Sequence, residues 1–344
     1  MTDLLMQYGL FLAKSITILA VIVIGLGTLF SLVREAREHS HDHLEVKNIN
    51  HRFEHMADIL NHELLGGDEL KRLHKIRAKE EKARTKAIKS GKQKPRPRLF
   101  ALDFEGDLNA SPVGCLREEI SALLQVASKD DEILLRLESE GGLVHSYGLA
   151  ASQLTRIRDR GIKLTVSVDK VAASGGYLMA CVADKILAAP FAILGSIGVV
   201  AQIPNFNRVL KKHEIDLELH TAGQYKRTLT MFGENTDEGR AKFREELEDT
   251  HVLFKKFVTE NRPTLDIEKV ATGEHWYGSR ALEIKLVDEL RTSDDYLLNR
   301  SKESDIYEIK YRQRRSLSDR LSQGLVKLGL GLRGGLEKAW SKPI

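Results

Sequence analysis

Cysteine is nearly missing: the 344 residues hold two, Cys115 and Cys181. Two thiols cannot form a disulfide framework and lack the spacing of a metal site, so they do not fix the redox compartment. Cys181 lies in the apolar run YLMACVA, where a buried, inert thiol is expected. Aromatics are sparse at 6%, and the densest block of positive charge has none. Residues 71–98 carry thirteen Lys/Arg against two Glu, an excess of eleven that leaves the rest of the chain at −7 within a formal net charge of +4. Without aromatics or a recognition motif, this block does not read as a nucleic-acid interface. It reads as a solvated helix or linker, with attraction to anionic lipid headgroups, at about 1 kcal/mol per basic residue near a surface, as its functional alternative.

Long apolar runs are also few. Residues 15–33 (SITILAVIVIGLGTLFSLV) contain no charge over nineteen positions, roughly 28 Å of helix and close to the thickness of a bilayer core. No small-x-small cleavage site follows, and the run passes straight into Arg34 and Arg37, so a retained membrane anchor is expected rather than a cleaved signal peptide. Residues 186–200 are nearly as apolar, but Pro190, Gly195 and Gly198 interrupt them, and buried strands with a tight turn are expected there.

With 42% hydrophobic and 30% charged residues the chain can bury a core. Four stretches follow from its patterning: an anchor over 1–33, a polar helical and basic linker over 34–97, an α/β domain over 98–312 and a basic amphipathic tail over 313–344. In the linker, Ile49, Phe53, Met56, Leu60 and Leu64 stand at helical spacing, and Lys94-Pro95-Arg96-Pro97 breaks the helix. His39, His41 and His43 form a cluster that reads as unliganded rather than as a metal site. Short apolar runs at 99–104, 133–137 and 164–168 read as buried strands, alternating with helical patterns at 117–127 and 146–158, which predicts stacked parallel β-α units. An edge strand is expected over 215–219, and a long helix from about Thr236, capped by Asn235.

Two turns can carry chemistry. Ala172-Ala173-Ser174-Gly175-Gly176-Tyr177 places a serine and two glycines between a strand and a helix, where free N–H groups can face a developing oxyanion; a plain helix cap has the same appearance. Ser139-Glu140-Gly141-Gly142 follows another strand and can supply a second donor, although such a turn is usually only a turn. A serine nucleophile needs a base. No histidine sits in a recognisable triad motif, with His213 and His220 the nearest after Ser174. A lysine can serve only where burial disfavours its charged form. Lys226, in Ala222-Gly223-Gln224-Tyr225-Lys226-Arg227, is the candidate.

ASGGY, then GSIGVV at 195–200, then GQYKR at 223–227, resembles the SppA/SohB family of signal peptide peptidases. GEHWYGSRALEIKLVD at 273–288 is similar to a later family pattern, and the resemblance covers roughly residues 98–290. The one-helix anchor with a basic linker is most similar to the SohB branch. The resemblance implies a ClpP/crotonase-like α/β fold and a membrane-anchored Ser–Lys endopeptidase. Ser174 would be its nucleophile, Lys226 its base and acid, Ser196 the residue orienting the lysine, and Gly142 and Gly175 the oxyanion donors. It implies hydrophobic peptides or unfolded segments as substrates, with small residues at the cleavage point, a homo-oligomer, contact with membrane lipids, and no cofactor or metal. It also implies the bacterial inner membrane. The basic residues after the anchor favour a cytoplasmic catalytic domain, and likeness to signal peptide peptidase A favours the opposite side. Glu140 departs from the proline the family usually has there. A non-proteolytic scaffold of the same fold and an acyl-CoA-processing crotonase-type enzyme are the competing readings.

Overall fold

The computed structural model describes residues 42–92 and 94–313, with isolated positions 14, 19 and 23. The chain divides into two compact units, residues 1–44 with 311–344, and residues 45–310. The expected anchor, the C-terminal tail, His39 and His41 lie outside the described residues, the three isolated positions apart. Among the described residues no helix is long and apolar enough to cross a membrane, and no group of three or more side chains could hold a metal ion.

The larger unit is mixed α/β. Its sheet is built on β1 (His43–Asn48), β2 (Arg98–Gly106), β3 (Glu132–Ser139), β4 (Lys163–Val168), β6 (Lys185–Ala188), β9 (Glu289–Leu290) and β10 (Asp305–Arg312), in the order β1-β10-β2-β3-β4-β6-β9. The β10-β2-β3-β4-β6-β9 pairs are all parallel. Parallel pairing requires crossovers, and α3 (Val113–Val126) and α4 (Val144–Arg158) supply two of them. At its far end β3 leaves β4 and pairs through Ser139 with β5 (Val171–Ala173). That strand pairs with β7 (Ile193–Gly195), and β7 pairs antiparallel with β8 (His275–Tyr277). This branch carries the candidate site.

The period of two in the strands separates two apolar layers. Phe100, Leu102 and Phe104 with Ile133, Leu135 and Leu137 face the larger cluster, beneath α3 and α4. Leu99, Ala101, Leu134 and Ile306 face the other side, under Tyr296 and Leu297 of α10 (Ser293–Arg300) and Ile49 of α1 (Ile49–Leu64). Farther along that second face ion pairs replace apolar side chains: Arg136 meets Asp103 at 2.5 Å and Glu308 at 2.6 Å, and Lys310 meets Asp103 at 2.8 Å.

Each expected buried run is a strand here, and the two expected helices appear with earlier starts. The apolar run at 186–200 resolves into β6, β7 and turns. Cys181 is fully buried and its thiol is pushed up to about 12 by desolvation. Three expectations need correction. The long helix is α7 (Asp237–Asn261), and its cap is Thr236, whose side chain accepts from Gly239 N–H at 3.0 Å; Asn235 instead accepts from Thr230 N–H. No strand forms over 215–219: the segment takes no regular secondary structure. The linker contains β1, unforeseen because HLEVKN has no apolar run. Its expected stripe is buried only at its start, with Ile49 3% and Leu64 77% exposed. The basic block forms α2 (Gly67–Lys89), exposed over most of its length.

Candidate active site

Ala173 of β5 lies opposite Gly195 of β7 in parallel register. Ser174 and Ser196 are the next residues on each strand, and the Ser174 N–H donates to the Gly195 carbonyl at 2.8 Å. With paired strands roughly 4.8 Å apart, the two serines are neighbours. Both have φ of 51°, the left-handed region, where a residue with a side chain stores about 1–3 kcal/mol and persists only if its surroundings hold it. At Ser174 this strain turns β5 sharply into α5 (Gly175–Ala180). As the first residue of that helix, Gly175 has an N–H with no helical acceptor.

The second turn is pressed against the first. A Cβ on Gly142 would stand 2.1 Å from the Leu108 carbonyl oxygen, and one on Gly175 would stand 2.5 Å from the Tyr147 ring. Both positions are glycine because the backbone passes where any side chain would collide. Gly142 N–H meets no acceptor among the described residues. The adjoining Leu143 N–H donates to the Leu108 carbonyl at 2.9 Å and fixes the turn.

Tyr147, fully buried on α4, ties these pieces together, and its importance was not visible in the sequence. Its hydroxyl donates to the Asp107 carbonyl at 2.7 Å. That uses its one proton, so the Ser139 hydroxyl donates to the Tyr147 oxygen at 2.5 Å. Ser139 Oγ in turn accepts from Gly141 N–H at 3.0 Å. The order of protons is therefore determined from end to end. Burial raises the Tyr147 phenol above its ordinary value, opposed in part by the Ser139 hydrogen bond, so it stays protonated as a donor. An aromatic three residues after Val144, beginning a helix behind a Gly-Gly turn, is the only sequence signal that could have pointed to it.

Beside Ser174 opens a cavity of about 350 Å³, lined by Val144, Leu178, Leu253, Phe254 and Phe257 and bordered by Gly142 and Gly175. Ser174, Ser196, Gly142 and Gly175 are thus brought to one place. Lys226 does not line this cavity. It is exposed on the segment 201–235, with its N–H donating to the Gly223 carbonyl at 3.1 Å, so the burial that a lysine base requires is not met within a single chain. Its neighbour Tyr225 leans on α7, with Lys242 Nζ 5.3 Å from the ring centre. His213 and His220 are exposed on the same segment, His220 beside Glu218 at 3.3 Å, and neither lines the cavity. Glu140 is exposed at the second turn.

The closing motif at 273–288 is structural. Asp288 accepts from Ile186 N–H at 2.7 Å and pairs with Arg262 at 2.7 Å, and the Tyr177 hydroxyl donates to the Leu286 carbonyl at 2.9 Å. These bonds hold the helix behind Ser174 against the sheet.

The model of the peptidase family S49 N-terminal region matches residues 3–154, and that of peptidase family S49 matches residues 156–306. A probable protease SohB of Haemophilus influenzae is 51% identical over 324 residues, covering 92% of each chain. A probable protease SohB of Buchnera aphidicola subsp. Schlechtendalia chinensis is 49% identical over 308 residues, covering 87% of this chain and 100% of the relative. Among solved structures, the 1510-N membrane-bound stomatin-specific protease in complex with a substrate peptide aligns with a TM-score of 0.42 at 12% identity, over 67% of this chain and 99% of that one. The chain belongs to peptidase family S49, the SppA/SohB family.

Proposed function

We propose that the protein is a membrane-anchored serine endopeptidase on a ClpP/crotonase-like fold, cleaving apolar peptides or unfolded segments through a Ser174–Lys226 dyad. The observation that carries this reading is the strained Ser174 turn, set between the Gly142 and Gly175 N–H groups at the mouth of an apolar cavity. The probable-protease names of the SohB relatives agree with it. Ser174 Oγ attacks the scissile carbonyl carbon while its proton passes to the neutral Lys226 amine. The oxyanion of the tetrahedral intermediate is held by the two N–H groups. Collapse breaks the C–N bond, Lys226 returns its proton to the departing amine, and water hydrolyses the acyl-enzyme by the same route.

A lysine in water is charged and accepts no proton, so Lys226 must be covered when the enzyme works. The segment that carries it presents Val209, Ile215, Leu217, Leu219 and Phe232 to solvent. A second copy of the chain laid over this segment would bury those side chains and Lys226 together, with Ser196 orienting the amine. In this reading the apolar segment 15–33 is the single-pass anchor in a bacterial inner membrane, and the basic α2 contacts anionic headgroups.

Turnover of an apolar peptide tests the chemistry. Ser174→Ala, Lys226→Met and Lys226→Arg should each lose it, arginine because its guanidinium stays protonated. If Lys226→Met keeps more than a few per cent of wild-type turnover while Ser174→Ala has none, the lysine is not the base.

A further inference from the structure

We infer that Trp276 is a positioning residue for the reaction: its ring, held by β8 against the backbone of Gly195, keeps Ser196 in its strained turn beside Ser174. This rests on the reading of Ser174 as nucleophile and of Ser196 as the residue that orients the Lys226 amine. An indole is neither acid nor base near neutral pH, so the effect of the ring passes through the serine.

Ser196 needs such a support. Its φ of 51° follows a φ of 94° at Gly195, two successive residues in the positive region. A residue with a side chain keeps such a conformation only where its surroundings over-determine it. At Ser174 the helix that follows, α5, contributes to that. Ser196 has no equivalent, since residues 196–206 form neither helix nor strand. What holds this turn must come from another part of the chain.

β8 and the residue before it supply the hold through two contacts. The Ser196 N–H donates to the Glu274 carbonyl at 2.7 Å. A Cβ on Gly195 would stand 2.7 and 2.8 Å from two atoms of the Trp276 ring, so the ring fills the side-chain position of residue 195 and blocks its backbone from turning that way. The Gly195 carbonyl also accepts the Ser174 N–H at 2.8 Å. The ring therefore rests against the one residue that joins both serines. β8 is itself fixed beyond Trp276: the Ser279 N–H donates to the Pro190 carbonyl at 3.0 Å, and the backbone at Gly278 passes so close to Ala189 that a Cβ would stand 2.1 Å from its carbonyl oxygen. Trp276 also packs against the larger apolar cluster. An aliphatic side chain could share that packing, but it would present no flat ring to Gly195.

The test uses the full-length protein and the rate at which a fluorophosphonate probe labels Ser174. It is measured in Trp276→Leu and Trp276→Phe, each with Ser196 intact and with Ser196→Ala, and Tm is followed throughout. Ser196→Ala alone should slow labelling about tenfold. With Ser196 intact, Trp276→Leu should slow it by about the same factor, and Trp276→Phe, which keeps a ring, by only about two- to threefold. In the Ser196→Ala background neither change should slow it further, because the residue through which the ring acts is gone. A role in packing alone would slow labelling by the same factor in both backgrounds, and that result overturns the proposal. So does wild-type labelling by a folded Trp276→Leu. If Trp276→Leu does not fold, the Trp276→Phe pair decides: slowing only with Ser196 present supports the proposal, and an unchanged rate or equal slowing in both backgrounds overturns it. Labelling of Ser196→Ala at the wild-type rate would instead overturn the reading of Ser196, and the role of Trp276 with it.

Discussion

Ser139 and Tyr147 belong to neither the nucleophile nor the base, yet both candidate oxyanion donors depend on them. The Tyr147 ring lies under Gly175, and its hydroxyl joins the 107 and 139–141 turns through Asp107 and Ser139. Tyr147→Phe keeps the ring and removes the hydroxyl, leaving a buried serine proton without a partner, at about 1–3 kcal/mol, while the Asp107 carbonyl keeps the Ala110 N–H. Peptide kcat should fall about tenfold, equivalent to about 1.4 kcal/mol in the barrier, with KM little changed, because the substrate side chain still meets the same ring. A fall confined to KM would place Tyr147 in binding alone. A second residue tests the scaffold. Burial alone would push the Asp131 carboxyl up, but hydrogen bonds from the Arg98 side chain and N–H and from the Ser128 N–H and hydroxyl outweigh it and hold the group at about 2. The side chain is 3% exposed, so the full shift counts as stability. Because the folded value is depressed, about 2 kcal/mol is present above the ordinary carboxylate range and is lost as pH falls from about 4 towards 2. Asp131→Asn should destabilise by about that amount at neutral pH in denaturant titration, and the difference should shrink on acidification; a pH-independent difference would refute the assignment.

At the scale of elements, burial decided what could be read in advance. The runs at 99–104, 133–137 and 164–168 are strands because both faces of the sheet are covered, and continuous apolar sequence has no other place there. The segment 215–219 alternates Ile215, Leu217 and Leu219 with Asp216 and Glu218, which is a strand pattern, but a strand needs a partner and it has none among the described residues. The reverse error occurred at β1, an edge strand whose sequence is polar because one side faces solvent. The serine and glycine turns were legible because glycines in such numbers leave a local signature. Tyr147 was not, because what matters about it is three turns distant in sequence that only the folded chain brings together. If the segment carrying Lys226 is covered by a second copy, Leu219→Glu should lower the assembly mass in sedimentation and reduce turnover while leaving Tm within a degree or two, since Leu219 is 53% exposed in the single chain. An unchanged assembly mass would remove that face from the interface.

For the molecule as a whole, Ser174, Ser196, Gly142 and Gly175 converge at the branch of the sheet, while Lys226 waits on an exposed segment. On the proposed reading, one chain supplies a nucleophile, two donors and a binding cavity, and a second copy completes the base. That reading has a kinetic consequence, since an isolated chain would keep Ser174 accessible but unactivated. The most direct measurement is the rate at which a fluorophosphonate probe labels the full-length protein, with the modified residue located by mass spectrometry. The adduct is expected on Ser174, to be absent in Ser174→Ala, and to form at least a hundredfold more slowly in Lys226→Met. An adduct on another residue, or labelling of Lys226→Met at the wild-type rate, would contradict the Ser174–Lys226 assignment.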